Sequence, residues 1–268
     1  MHIQVSGAPL YAYTGGKDFD AAKPTVVFIH GVLNDHSVWI LQSRYLANHG
    51  WNVLAIDLPG QGRSGGEPPA TVEAAADTVL ALLAAVGVEQ AALVGHSFGS
   101  LIALEAAARS PAHVSHLVLA GTAFPMKVSP ALLEASVKAP EKAIAMVNTF
   151  SHSTLAPPPS SLGPGTWLYG GSRALMRRVL ASNPKVNVFY TGFKACDDYA
   201  GGEQAMPAVH CPTLFLVGKH DQMTPPKSAK ALAQHARLAQ IVEVEAGHAL
   251  MTEAPDEVLF ALRDFLAA

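Results

Sequence analysis

Short runs of β-branched and apolar residues alternate along the chain with segments whose apolar positions recur every three or four residues. The runs at 25–29, 52–56, 91–94, 116–120, 213–217 and 241–244 predict six buried strands, and 2–5 with 10–13 predict a leading hairpin. Between them, 38–48, 72–85, 98–109, 227–235 and 255–266 have the spacing of amphipathic helices. This alternation predicts an α/β fold. Its mostly parallel central sheet has about eight strands, opens with an antiparallel hairpin and carries helices on both faces.

The alternation breaks between Thr122 and Val209. That interval holds helical pieces at 130–147 and 172–181, a proline-rich loop at 156–160, and aromatics without strand period. It reads as an inserted helical cap, 122–209, on a core formed by 1–121 and 210–268. A cap entering after a strand's C-terminal end lies over the crevice where open α/β sheets bind ligands.

Half of the 268 residues are hydrophobic and 15% are charged, which favours a folded protein over a disordered one. A net charge of -3 argues against nucleic acid or an anionic membrane as the main partner. The N-terminal residues carry neither a basic stretch nor an apolar one, so no secretory signal is read there. The most apolar long segment, 72–88, is interrupted by Glu73 and Asp77 and is not expected to span a membrane. Two cysteines, Cys196 and Cys211, stand far apart in no ligand pattern, as reduced thiols of a cytoplasmic protein would.

The chemistry begins at Gly95-His96-Ser97-Phe98-Gly99, where an apolar strand drives into a helix-period segment. This is a G-x-S-x-G nucleophile elbow, a cramped turn that lifts a serine hydroxyl out of the sheet. A serine hydroxyl is a weak nucleophile and needs an imidazole to take its proton, and the imidazole needs an acid to fix its tautomer. Asp221 and His248 follow the two last strands through short turns, giving the chain order Ser, Asp, His. Asp57 also ends a strand and is an alternative acid by position. Gly60-x-Gly62-x-x-Gly65 satisfies a dinucleotide fingerprint in letters, but Glu67-Pro68-Pro69 follows where a helix must open. His113 and His116 have no third ligand nearby, so no metal site is read.

Together these residues resemble the α/β-hydrolase superfamily over essentially the whole chain outside the cap. Phe28-Ile29-His30-Gly31-Val32 is similar to the family's H-G-x segment, with Trp39 at the customary distance. Asp57-Leu58-Pro59-Gly60-Gln61-Gly62-Arg63-Ser64 is similar to its D-x-x-G-x-G-x-S loop, which gives Asp57 a loop-bracing role. The resemblance implies catalysis by Ser97, Asp221 and His248 without cofactor or metal, and an oxyanion hole from the N–H groups of Val32 and Phe98. His30 and His96 are expected to brace loops, and Asp197 and Asp198 to face solvent.

An aromatic-rich cap over a serine site suggests a small or medium apolar substrate, with Phe124, Met126, Trp167, Tyr190, Met223 and Leu250 as pocket residues. The implied activity is ester hydrolysis through an acyl-enzyme. The same constellation serves carbon–carbon, thioester and lactone hydrolysis, and a ligand-binding receptor of this fold is a reading of another class.

Overall fold

The computed structural model describes residues 1–20, 22–153 and 166–267, so the predicted loop at 156–160 lies outside the described residues. The strands are β1 (His2–Val5), β2 (Ala8–Tyr13), β3 (Thr25–Ile29), β4 (Asn52–Ile56), β5 (Ala91–His96), β6 (Val114–Ala120), β7 (Thr213–Gly218) and β8 (Ala239–Val244). They form one sheet in the order β1-β2-β4-β3-β5-β6-β7-β8. The β1–β2 and β2–β4 pairs are antiparallel and every other pair is parallel.

Every position of β3, β4, β5 and β7 is buried because helices cover both faces of the sheet. Alternate residues divide between two cores, as the two-residue period of a strand requires. Val27, Ile29, Leu93, Leu119 and Phe215 join the layer of α2 (Val72–Ala85) and α3 (Phe98–Arg109). Val26, Phe28, Val94, Val118 and Leu214 join the layer of α1 (Ile40–Asn48) and α11 (Pro255–Leu266). Each fully buried side chain of this kind contributes about 1.5–3 kcal/mol. Helix α2 shows why these segments are helical: Val72, Ala75, Ala76, Val79, Leu82 and Leu83 form its buried stripe. Its N-cap Thr71 accepts a hydrogen bond from Ala74 N at 3.1 Å.

The last strand departs from the reading as a buried one. β8 lies at the sheet edge, has no strand beyond it among the described residues, and leaves Ile241 40% exposed. Cys196 and Cys211 are free thiols. No helix among the described residues is long and apolar enough to cross a membrane.

Between β6 and β7 the described residues form α4 (Pro130–Lys138), α5 (Pro140–Ser151), α6 (Leu168–Ala181), α7 (Val188–Asp198) and α8 (Gly202–Ala208), and α9 (Pro226–Ala233) and α10 (Leu250–Glu253) follow β7 and β8. The single helix expected over 130–147 is split at Ala139, whose φ of -149° is forced away from the helical region by the ring of Pro140. Helices α7 and α8 were not legible from period. Phe189, Tyr190 and Phe193, which read as scattered aromatics, all lie on α7. Leu33, Ala143, Ile144, Met176, Val179, Phe189 and Phe193 make a third, smaller core. Asp198 faces solvent and pairs with Lys194. Asp197 is partly buried instead, where it accepts from Val128 N at 3.1 Å.

Helix α6 is fastened to the core at its far end. Arg178 donates to Asp35 at 2.7 Å, Gly62 N to Ser182 Oγ at 2.9 Å, and Asn183 Nδ2 to the Gly60 carbonyl at 2.9 Å. The loop that receives these contacts is organised by Asp57. Its Oδ1 accepts from His36 N at 2.8 Å and lies 2.7 Å from His36 Nδ1, while Oδ2 accepts from Arg63 N at 2.8 Å.

Burial pushes the Asp57 carboxyl up, but the hydrogen bond of the His36 ring and its other donors outweigh this and hold it below the usual carboxylate range. A depressed pKa stabilises the fold above the unfolded value of about 4 and loses that effect as pH falls through the folded value. Asp57→Asn is expected to cost about 2–3 kcal/mol at pH 7. In urea melts the gap between variant and parent should narrow below about pH 4. A gap of equal size at both pH values contradicts the assignment.

Candidate active site

Strand β5 ends at His96 and α3 begins at Phe98, leaving Ser97 alone in the turn. Ser97 has φ +54°, a left-handed conformation that costs a non-glycine residue energy. Its flanks hold it there: Ser97 N donates to the Ala120 carbonyl at 2.9 Å and Ser100 N to the Ser97 carbonyl at 2.8 Å. The turn tolerates only glycine on either side. A Cβ on Gly95 would collide with the Gly99 carbonyl, and one on Gly99 with the Ile29 carbonyl of β3.

His248 and Asp221 come together from the loops after β8 and β7. His248 Nδ1 lies 2.8 Å from Asp221 Oδ2, and both side chains are almost completely buried. Met223 N and Thr224 N each donate to Asp221 Oδ1 at 2.8 Å, and Thr224 Oγ1 donates to Oδ2 at 2.7 Å. Burial pushes the Asp221 carboxyl up, but the His248 charge and these hydrogen bonds prevail and lower it, so it is an anion at neutral pH. As the carboxylate only accepts, His248 Nδ1 carries a proton and Nε2 is free to take one. Thr224 escaped the sequence reading. Its signal was the close spacing Asp221-x-x-Thr224, which lets a hydroxyl fold back on a carboxylate.

Ser97 and His248 line the same cavity, of about 210 Å³, between the strand ends and the insertion. No hydrogen bond of ordinary geometry joins Ser97 Oγ to His248 Nε2 in this structure. The N–H groups of Val32 and Phe98 have no acceptor among the described residues. Phe98 opens α3, where free amides point out of the helix end.

Two more histidines hold this frame. His30 Nε2 accepts from Leu58 N at 3.0 Å, tying the loop after β3 to the loop after β4. His96 is fully buried, and burial followed by the neighbouring His248 charge holds its pKa down to about 3. Its neutral ring therefore donates from Nε2 to the His248 carbonyl at 2.9 Å, which leaves Nδ1 as an unpartnered lone pair.

A second arm of about 270 Å³ opens from the same pair, lined by Met126, Leu132, Phe150, Cys196 and Met223, with Lys127 at its rim. Of the six pocket residues expected from sequence, Trp167 and Met223 line the first arm, and Met126 and Met223 the second. The other three do not line either arm. Phe124 packs edge-on against Tyr199 at 5.9 Å, Leu250 is buried in the α1–α11 layer, and Tyr190 lies 37% exposed on α7. Proximity in sequence to a strand end misled the reading of Phe124 and Leu250. Phe124, from the loop after β6, and Leu250, at the start of the short helix Leu250–Glu253, both turn into the core although their neighbours Met126, Ala249 and Met251 reach the cavity.

One cluster of metal-type ligands occurs among the described residues, Asp35, His36 and Asp57. Its oxygens are already engaged by Arg178, Ser37, His36 and Arg63, so the donor set is that of a loop brace.

The sequence pattern of the alpha/beta hydrolase fold matches residues 24–255. The putative carbamate hydrolase RutD of Agrobacterium fabrum is 33% identical over 121 residues, a match covering 44% of this chain and 42% of that relative. The pimeloyl-acyl-carrier-protein methyl ester esterase of Neisseria meningitidis is 29% identical over 256 residues, covering 92% of this chain and 94% of that one. An esterase from Exiguobacterium antarcticum shares the fold with a TM-score of 0.84 at 20% identity, covering 100% of this chain and 99% of that one. The chain belongs to the α/β-hydrolase fold family.

Proposed function

We propose that the chain hydrolyses esters of small or medium apolar acyl groups through an acyl-enzyme, under a helical cap formed by 122–209. The observation that carries this reading is a serine held left-handed at the end of β5, in one cavity with an imidazole whose far nitrogen is bonded to a buried carboxylate. As substrate enters, Ser97 Oγ closes on His248 Nε2, a contact that is often long in free enzymes. The hydroxyl proton passes to Nε2 while Oγ attacks the ester carbonyl. The negative charge that develops on the carbonyl oxygen is met by the N–H groups of Val32 and Phe98. Collapse expels the alcohol, which takes its proton from His248. Water then attacks the acyl-enzyme with His248 as base, releasing the carboxylic acid and restoring Ser97. Asp221 fixes the ring and offsets the charge of the imidazolium.

Substrate class is supported by the cavity lining. The first arm carries Val147, Trp167, Leu168, Leu175, Met176 and Phe193, with no acidic or basic side chain other than histidine. A neutral apolar acyl group fits such a lining. Trp167 is 65% exposed and stands where the arm meets solvent, so it sets how far a chain can extend.

Ser97→Ala and His248→Ala should each lower kcat on p-nitrophenyl butyrate by roughly a millionfold, because members of such a set act as a unit. A loss of only a few-fold in either variant rules out the mechanism. Trp167→Ala is expected to shift preference toward longer acyl chains, by about tenfold in relative kcat/KM for each methylene newly accommodated. Phe124→Ala, outside both arms, should leave that preference unchanged and lower Tm instead. The reverse pattern across a series of p-nitrophenyl esters would show that the cavity has been assigned to the wrong residues.

A further inference from the structure

The two peptide groups that flank the His248 turn, 246–247 and 248–249, are held through three contacts by groups outside it. Gly247 N donates to Glu253 Oε2 at 2.7 Å, the His248 carbonyl accepts from His96 Nε2 at 2.9 Å, and Ala249 N donates to the Ser151 carbonyl at 2.9 Å. The middle contact belongs to the core. The outer two lead into the cap. Glu253 Oε1 accepts from Ser153 N and from Ser153 Oγ, each at 2.8 Å, so one carboxylate bridges the N–H of Gly247 and the residues just past α5.

The approach is close enough to constrain residue type. A Cβ on Gly247 would lie 2.8 Å from both the Ser151 carbonyl oxygen and Ser153 N, so only glycine lets the two backbones lie together. Ser151 Oγ also donates to Met223 Sδ at 3.0 Å, two residues beyond Asp221. The same short cap segment therefore touches the loop of the base and the loop of the acid. No cation pairs with Glu253 among the described residues, so its charge is spent on N–H and O–H donors, where an anionic acceptor binds about twice as strongly as a neutral one.

We propose that Glu253 is a positioning residue that ties the end of α5 to the turn carrying His248, so that the imidazole can close on Ser97 only while the cap is seated. This rests on the assignment of His248 as the base. The cap is then part of the proton-transfer apparatus as well as the wall of the pocket. Its two attachments differ in consequence: contacts of Arg178, Ser182 and Asn183 at the end of α6 hold the cap on the core, whereas Glu253 passes its position to the histidine.

Glu253→Ala and Glu253→Gln test this. Glutamine keeps the shape and one acceptor oxygen, but sets an NH₂ group against N–H donors on the other side. For Glu253→Ala, kcat on p-nitrophenyl butyrate should fall about 10- to 100-fold, the effect of an ångström-scale misplacement, with KM altered less than about threefold. Glu253→Gln should lie between this and the parent. Hydrogen exchange at the Gly247 and Ser153 amides should accelerate together while the β5 amides stay protected. Exchange is measured also in the Ser97→Ala background, where no catalysis occurs, so the tie is tested even if the serine mechanism fails. An unchanged kcat in folded Glu253→Gln and Glu253→Ala overturns the proposal. So does faster exchange at Ser153 with Gly247 unaffected, or a Glu253→Gln protein whose β5 amides exchange as freely as its turn.

Discussion

One unfavourable backbone conformation sets the terms for the rest of the molecule. Ser97 sits at φ +54°, a state costing roughly 1–3 kcal/mol, and it persists only because both flanks are immovable. On one side β5 is locked between β3 and β6, with Val94 opposite Phe28 and Val118. On the other, α3 presses so near β3 that a methyl group on Gly99 would strike the Ile29 carbonyl. The sheet and its helical layers thus act as a vice on a single turn, and the hydrophobic core is what keeps that serine raised.

The core, and the places of Ser97, Asp221 and His248 beyond strand ends, were legible because their signals are local and repeated. Continuous apolar runs marked strands buried on both faces, and short turns after β5, β7 and β8 marked where side chains emerge at the sheet's edge. The failures have equally local causes. β8 carries apolar residues like its neighbours, and nothing in 241–244 says that no ninth strand will cover Ile241. Between β6 and β7, Phe189, Phe193 and Cys196 pack at helical spacing, but Gly192 within the stripe and the apolar ring of exposed Tyr190 beside it left α7 unread. Pocket residues depend on which way a loop side chain turns, which is why Met126 and Met223 reach the cavity while Phe124 and Leu250, equally near strand ends, do not. Glu253 carried no readable signal: a glutamate five residues after a histidine declares nothing until the insertion folds back on it.

Insertion and core are joined by polar contacts rather than by apolar burial alone. Asp35, Gly60 and Gly62 on one side and Gly247, Ala249 and Glu253 on the other receive the ends of α6 and α5. Hydrogen bonds are directional, so each attachment fixes an orientation that a greasy contact would leave free. Some of the helices between β6 and β7 pack around Ile144, Met176 and Phe189 with Leu33 of the loop after β3, while Ala195, Tyr199, Ala205 and Met206 of α7, α8 and the turn between them join the α2–α3 layer. Such a division allows the wall of the cavity to vary in sequence while its points of attachment stay in place.

The charge-free lining of the first arm has an electrostatic consequence. Coulomb energies grow as the local permittivity falls, and this chamber offers little to screen a nascent anion. The Asp221 carboxylate has a histidine ring set against it. Under the proposed mechanism, the amide dipoles of Val32 and Phe98 would govern the potential at the reacting oxygen. A chain that spends no charge on its pocket walls concentrates its field on one bond.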